Sequence, residues 1–170
     1  MLLEECRNAE NKLYLAVLLA LSTGARQKEI WNLSWKDINL KDEFIIFSKT
    51  KTKKTRTVPL KGAVLEMLRN ESRRLDTNML FPSQKNPEKG FDFKRSFKKA
   101  LANAGIEDFS WHDLRHSCAS YLIMSGMDMR KVAEILGHEN LSMTKKYTHL
   151  KPEHLSDDME RMTRMFLNDA

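Results

Sequence analysis

One stretch of strand-like sequence, flanked on both sides by helical patterns, limits the folds open to this chain. Within residues 43–60, EFIIFSKTKTKKTRTVPL, an apolar run at 44–47 precedes a lysine-rich middle, and Thr57 and Val58 follow it. Two runs of β-branched and aromatic residues around a polar centre predict a β-hairpin. The rest of the chain is mostly helical in pattern, so the sequence predicts a mainly α-helical α+β fold with a small antiparallel sheet.

The helical segments are marked by residues that start or stop helices. Gly24 and Gly105 are predicted to end helices, Ser110-x-x-Asp113 forms a capping box, and Asp128 and Gly137 bracket a short helix. The predicted helices are residues 2–21, a helix capped by Thr23 that runs through Ile30 and Leu33, residues 62–75, FDFKRSFKKALANAG, residues 111–125, DMRKVAEIL, a short helix in SMTKKYTHL, and residues 152–170.

Length and composition predict one domain, residues 1–170, because 170 residues can bury a single substantial core. A net charge of +6 suits a polyanionic partner. Cys6 and Cys118 are the only cysteines and form no zinc-spacing pair, which predicts reduced thiols in the cytoplasm. The longest apolar run, LYLAVLLAL, has nine residues, against the roughly 20 that a bilayer span needs. We therefore expect no membrane partner.

The segment HDLRH admits two interpretations. His112 and His116 stand at helical i, i+4 spacing around Asp113, which resembles the H-E-x-x-H zinc site, with Glu134 as a third ligand. Against zinc, Arg115 adds a permanent cation to the ligand face, and Asp113 is also the capping partner of Ser110. The alternative is an anion site at the start of a helix, where an arginine and protonatable histidines meet.

Positive charge is concentrated in the middle of the predicted hairpin, where five cations fall within eight residues: Lys49, Lys51, Lys53, Lys54 and Arg56. A solvated turn that keeps an edge strand soluble is one interpretation. Together with the net positive charge, the cluster is better explained by contacts with phosphates.

The segment VAEILGHENLSMTKKYTHL resembles a helix-turn-helix, whose second helix would enter the DNA major groove. A non-catalytic DNA-binding protein is therefore the main alternative function, and a zinc hydrolase is a remote one. Neither interpretation explains Arg26, the basic hairpin and HDLRH together.

Four blocks in order resemble the signature blocks of the tyrosine recombinases, the phage integrase family. They are TGARQKEIWNLSWKDI, SKTKTKKTRTVPL, HDLRHSCAS and LGHENLSMTKKYTHL, and the resemblance extends over nearly the whole chain. The resemblance implies the catalytic-domain fold of that family and a site-specific DNA strand transferase. It implies a 3′-phosphotyrosyl intermediate formed without metal, cofactor or ATP.

The resemblance also implies six catalytic residues: Arg26, Lys51, His112, Arg115, His138 and Tyr147. Tyr147, nine residues after His138, matches the nucleophile. Lys51, eight residues before Pro59, matches the family lysine and can protonate the leaving oxygen as a general acid. These residue types suit the chemistry, because two guanidiniums supply planar donors for phosphate oxygens in the role that a metal would otherwise fill.

The two histidines have supporting roles in this scheme. His112 is a proton acceptor or orienting group, and His138 donates to a non-bridging oxygen. His116 either supports the site or is a packed or solvated histidine. Cys118 and Tyr121 are predicted to lie on the buried side of the HDLRH helix and are assigned no chemistry.

The resemblance implies double-stranded DNA as partner, with backbone contacts from Lys49, Lys53, Lys54 and Arg56. Because Arg26 comes so early, we expect the N-terminal core-binding domain of family members to be absent. An apolar stripe in residues 152–170 predicts docking on another protomer assembled on the same DNA. The expected setting is the cytoplasm of a bacterial cell, with the protein encoded by a phage or mobile element.

Overall fold

A computed structural model describes residues 1–9, 12–48, 55–138 and 142–145. The chain divides into two compact units, Met1–Cys118 and Ala119–Ala170. The helices of the first unit are α1 (Leu2–Arg7), α2 (Leu13–Thr23), α3 (Gln27–Trp31), α4 (Gly62–Arg69), α5 (Lys94–Asn103) and the start of α6 (Trp111–Met124). The unit boundary falls inside α6. The predicted mainly helical α+β fold with a small antiparallel sheet is confirmed.

The sheet of the first unit contains the predicted hairpin and one further short strand. Strands β1 (Ile38–Asn39), β2 (Phe44–Ser48) and β3 (Thr55–Pro59) are antiparallel in the order β1-β2-β3. In the β2–β3 register Ile45 faces Val58 and Phe47 faces Arg56. These four side chains are buried while Thr55, Thr57 and Pro59 are exposed, which is the alternation of a sheet with one covered face.

An aromatic cluster links the end of α3 to the start of α6. The rings of Trp31 and Trp111 meet edge to face with centroids 5.7 Å apart, and Phe97 of α5 meets Trp111 in the same way at 5.0 Å. Phe93 stacks on Trp111 at 6.3 Å. Because buried aromatic pairs are large and geometrically specific, this cluster fixes the first turn of α6 against the segment that follows Arg26.

The described part of the second unit consists of the end of α6, α7 (Met129–Leu136) and α8 (Ser142–Lys145). Its apolar cluster contains Ala119, Ile123, Val132 and Leu136. As predicted, the Asp128 side chain accepts a hydrogen bond from the N–H of Arg130 at 2.8 Å. Gly137 ends α7 in the left-handed conformation, with φ of 66°.

Several predicted helices are shorter than expected, among them α3, which ends at Trp31 instead of Leu33. Residues 2–21 form two helices instead of one: α1 ends at Arg7 and α2 begins at Leu13, with the poor helix former Asn8 after the first. The helix predicted at residues 62–75 ends at Arg69. Leu75 is fully exposed, so the residues after Arg69 supply no apolar face to bury.

Two side-chain predictions were also wrong. Thr23 does not cap α3: its hydroxyl donates to the carbonyl oxygen of Leu19 inside α2 and accepts from the N–H of Ala25. Cys118 is buried as predicted, but Tyr121 is 68% exposed. Tyr121 lies just past the edge of the buried face of α6. Because it is seven residues, or about two helical turns, after buried Leu114, helical periodicity alone places both residues on the same side.

Within the part of the chain that the structure describes, no helix combines the length and the apolar character that crossing a membrane requires.

Candidate active site

Arg26 follows a glycine turn that directs its backbone. Helix α2 ends at Thr23, and Gly24 has a left-handed φ of 60°, a conformation that glycine adopts at little cost. Arg26 is then extended, with φ of −72° and ψ of 154°, immediately before α3. Its side chain is 40% exposed, so its guanidinium is accessible to a ligand.

Arg115 is buried beside the same turn. Only 4% of its surface is exposed, and its Nη1 donates to the carbonyl oxygen of Gly24 at 2.6 Å. A buried guanidinium requires hydrogen-bond acceptors, and the Gly24 carbonyl supplies one from a position 91 residues away in sequence. The second predicted arginine is therefore attached to the turn that carries the first.

A cavity of about 240 Å³ lies between these arginines and the start of α6. Arg26, Lys28 and Arg115 line it together with Trp111 and His112, and no acidic residue is among the described lining. Because the N-terminal end of a helix carries partial positive charge, the first turn of α6 adds to the field of the cations. Within the first unit, this cavity is suited to an anion.

The first turn of α6 is held by the predicted capping pair. The Asp113 carboxylate accepts hydrogen bonds from the Ser110 hydroxyl at 2.6 Å and from its backbone N–H at 2.8 Å. These bonds hold the pKa of Asp113 below its usual range. The His112 ring is exposed and meets the His116 ring edge to face, with centroids 4.6 Å apart.

The zinc hypothesis finds little support in this geometry. Asp113, which would have to act as a general base, is occupied as a cap. Among residues 1–9, 12–48, 55–138 and 142–145, no group of three or more His, Cys, Asp or Glu side chains is arranged to hold a metal ion.

Arg56 is not placed as predicted. Instead of facing solvent to contact DNA, its side chain is only 7% exposed and pairs with Glu29. Nη1 and Nη2 donate to the two carboxylate oxygens at 2.9 and 2.8 Å. The guanidinium also lies over the Phe47 ring, 4.6 Å from its centroid. Because this buried fork is already engaged by Glu29, Arg56 in this arrangement is not available for the phosphate contact that the sequence predicted.

Glu29 is a residue that the sequence analysis missed. Its carboxylate also accepts from the backbone N–H of Arg26 at 2.7 Å and from Arg26 Nη1 at 3.4 Å. Burial raises the pKa of Glu29, but the hydrogen bonds from Arg56 and the Arg26 backbone outweigh this effect and leave the pKa lowered. Its position three residues after Arg26, in ARQKE, was the available signal, since a Glu there can cap the first turn of a helix.

His138 belongs to the second unit, where it follows the C-terminal glycine of α7. Its half-buried ring places Nδ1 2.9 Å from the Oγ1 of Thr144, a fully buried residue of α8. This contact fixes the ring orientation. The remaining predicted site residues, Lys49, Lys51, Lys53, Lys54 and Tyr147, lie outside the described residues, as does the segment 152–170.

Comparison with known proteins identifies the family. The family model described as the phage integrase family matches residues 1–154. The chain belongs to the phage integrase family. It is 37% identical over 153 residues to the tyrosine recombinase XerA of Pyrococcus furiosus, covering 86% of this chain and 53% of that protein.

Solved structures of integrase-family proteins have the same fold. The catalytic domain of bacteriophage HP1 integrase matches with a TM-score of 0.73 and 34% identity, over 94% of this chain and 88% of that domain. The XerH site-specific recombinase bound to its palindromic difH substrate matches with a TM-score of 0.72 and 26% identity, over 93% and 49% of the two chains. The chain spans about half the length of the curated relatives it matches.

Membership in the phage integrase family decides between the two DNA-related interpretations. The match extends over all four sequence blocks, whereas a helix-turn-helix would involve only α7, α8 and the residues around them. The helix-turn-helix alternative is therefore not favoured.

Proposed function

We propose that residues 1–170 form the catalytic domain of a site-specific DNA recombinase that cuts and rejoins DNA through Tyr147. The observation that carries this proposal is the attachment of Arg115 to the Gly24 turn, which brings two arginines to one cavity with no acidic residue in its described lining. A phosphodiester carries one negative charge, and attack on phosphorus adds charge to its non-bridging oxygens. Two planar guanidiniums are suited to stabilise that added charge.

The proposed chemical step is a transesterification. The Tyr147 hydroxyl oxygen forms a bond to phosphorus while the bond from phosphorus to the 5′-oxygen breaks, leaving a 3′-phosphotyrosyl ester and a free 5′-hydroxyl. A tyrosine hydroxyl, with a pKa of about 10, needs help to lose its proton, and His112 accepts or orients that proton. Lys51 supplies the proton that the leaving 5′-oxygen takes up.

The remaining site residue contributes hydrogen bonding. Because Nδ1 of His138 faces Thr144, we assign its other ring nitrogen, Nε2, as the donor to a non-bridging phosphate oxygen. Rejoining reverses the step with a 5′-hydroxyl as nucleophile, so the phosphotyrosyl ester conserves the bond energy. The reaction therefore requires neither ATP nor, with arginines as electrophiles, a metal ion.

Double-stranded DNA is the proposed partner, contacted along its backbone by Lys49, Lys53 and Lys54. The related XerH forms a post-cleavage complex with its difH substrate, which supports a bound and cleaved substrate here. We further propose that protomers assemble on the DNA, with residues 152–170 docking on a neighbour, in the cytoplasm of a bacterial cell that hosts a phage or mobile element.

The test is covalent capture. The protein is incubated with a pool of duplexes that are nicked near a randomised central site, and denaturing gels separate protein–DNA adducts, whose DNA is then sequenced. We expect an adduct at a defined sequence, its loss in Tyr147→Phe, and no effect of EDTA. An adduct that persists in Tyr147→Phe, or one that EDTA abolishes, contradicts the proposed mechanism.

A further inference from the structure

The Glu29 carboxylate joins the strand β3 to the backbone of Arg26. On one side it receives the paired donors Nη1 and Nη2 of Arg56, at 2.9 and 2.8 Å. On the other it receives the backbone N–H of Arg26 at 2.7 Å and Arg26 Nη1 at 3.4 Å. One carboxylate thus connects two arginines that come from different elements of the first unit.

This arrangement is fixed on both sides of the carboxylate. The Arg56 side chain is 7% exposed and that of Glu29 15% exposed, so water competes little for their hydrogen bonds. Arg56 also stacks on Phe47, its partner across the β2–β3 ladder. A forked, stacked and buried arginine has very little rotational freedom, so Glu29 is held by a rigid donor.

Stability alone does not account for such a pair. Burying two charges costs desolvation free energy, and apolar residues of similar volume often serve the fold as well or better. A buried ion pair does supply a defined geometry. Here the geometry is transmitted to Arg26, because Glu29 holds both the N–H and one guanidinium nitrogen of that residue.

Arg56 also lies close in sequence to the proposed general acid. Strand β2 ends at Ser48 and β3 begins at Thr55, one residue before Arg56, and Lys51 lies between these two strands in sequence. Arg56 is thus anchored in the strand that follows the lysine segment, while its side chain, through Glu29, reaches Arg26.

We propose that Arg56 is a positioning residue for strand transfer, which acts through Glu29 to orient Arg26 toward the scissile phosphate. This inference rests on the proposed function. It predicts a defect in the rate of cleavage that depends on Arg26 and leaves DNA affinity unchanged. A residue that only stabilises the fold would lower activity in every background alike.

The test is a double-mutant cycle on single-turnover adduct formation, with the nicked duplex recovered by covalent capture. Arg56→Met is expected to lower the rate by about 10- to 100-fold, since a displacement near 1 Å can cost that much. In an Arg26→Ala background the same substitution is expected to change the rate less than about twofold, because its target is already gone. DNA affinity is expected to change little in either background.

Arg69→Met is the matched control. Arg69 of the same unit also pairs with a glutamate, Glu43, through Nη2 to Oε1 at 3.0 Å, but at a more exposed site and with a single hydrogen bond. Its loss is expected to leave the rate unchanged. Should Arg56→Met fail to give a cooperative thermal transition, Arg56→Lys replaces it. That variant keeps the charge but loses the fork, and we expect an intermediate loss of rate.

The outcomes separate the two claims. If the native protein forms an adduct and Arg56→Met is fully active, or is equally impaired in the native and Arg26→Ala backgrounds, the positioning role is wrong and the proposed function stands. If the native protein forms no adduct with any member of the pool, the proposed function fails and the positioning role fails with it.

Discussion

The Nη1 atom of Arg115 lies 2.6 Å from the carbonyl oxygen of Gly24, so one predicted catalytic arginine holds the turn that leads to the other. A substrate phosphate at the adjoining cavity would therefore meet Arg26 and Arg115 as one preorganised unit. Preorganised donors contribute most to catalysis where water is excluded, and Arg115 is buried.

This relationship predicts that Arg115→Lys is not a conservative change. Lysine keeps the charge but lacks the planar fork, so it cannot bond both to the Gly24 oxygen and to a phosphate in the same geometry. We expect the single-turnover cleavage rate to fall by about 10²- to 10³-fold, together with a lower melting temperature. Arg130→Lys, at an exposed position of α7, is the control and should change neither quantity. Near-native cleavage by Arg115→Lys would show that the fork is dispensable.

The second prediction concerns acid stability. The pKa of Glu29 is lowered in the folded protein because hydrogen bonds from Arg56 and the Arg26 backbone outweigh the effect of burial. A group whose pKa is lower in the folded state contributes stability above its unfolded pKa, near 4.3, and that contribution is lost as pH falls toward the folded value. In Glu29→Gln we therefore expect a smaller decline in the free energy of unfolding below about pH 4.5.

Urea unfolding between pH 3 and pH 7 measures this decline. Glu43→Gln is the matched comparison, because the pKa of Glu43 is also lowered by cationic partners, Lys61 first, but at a more exposed site. We expect Glu43→Gln to change the decline of the free energy of unfolding at low pH less than Glu29→Gln does, since exposed ion pairs contribute little to stability. If the free energy of unfolding of Glu29→Gln declines below about pH 4.5 as steeply as that of the native protein, the pKa of Glu29 is not lowered in the folded state.

Several features that depend on residues close in sequence were predicted correctly, whereas a pair formed by residues far apart in sequence was missed. Gly24, Asp113, Asp128 and Gly137 act within one helical turn, so their roles were visible in sequence. The Arg56–Glu29 pair joins residues 27 positions apart, so the partner of Arg56 could not be recognised from the sequence around it. Its position two residues before Val58 in the predicted strand was a local signal that it shares the buried face. The sequence analysis nevertheless grouped a buried, paired arginine with residues that were expected to face solvent.

The burial of Arg56 against Glu29 changes the expected salt dependence of DNA binding. Each phosphate contact contributes about 0.9 to the slope of log affinity against log salt. Replacing Lys53 and Lys54 by alanine should flatten the slope by about one to two units. Arg56→Met should leave the slope unchanged, because the Arg56 guanidinium is buried and already paired with Glu29. Fluorescence anisotropy across a salt series measures both. If Arg56→Met flattened the salt slope as much as the lysine variant does, Arg56 would contact DNA phosphates.

The last prediction concerns residues 152–170, PEHLSDDMERMTRMFLNDA, which begin five residues after Tyr147. The spacing of Leu155, Met159, Met162 and Phe166 predicts an apolar stripe if the segment is helical, and a stripe of that size would need a covering surface. The proposed recombination would require cutting to be coordinated between protomers, and a segment this close to the proposed nucleophile can link its placement to assembly. We expect that deleting the residues after Leu150 lowers the fraction of higher-order complexes on the captured duplex by about tenfold or more, because linked contacts multiply affinity.

The same deletion should leave the rest of the protein folded. The apolar cluster of the second unit, Ala119, Ile123, Val132 and Leu136, is retained in full. Light scattering of protein–DNA complexes measures assembly, and circular dichroism measures folding. A variant of residues 1–170 with Leu155 and Phe166 changed to serine keeps the chain length and removes only the apolar stripe. It should assemble as poorly as the truncated protein. Equal assembly by the truncated and intact proteins would refute docking of residues 152–170 on a neighbouring protomer, because the truncated protein lacks this whole segment.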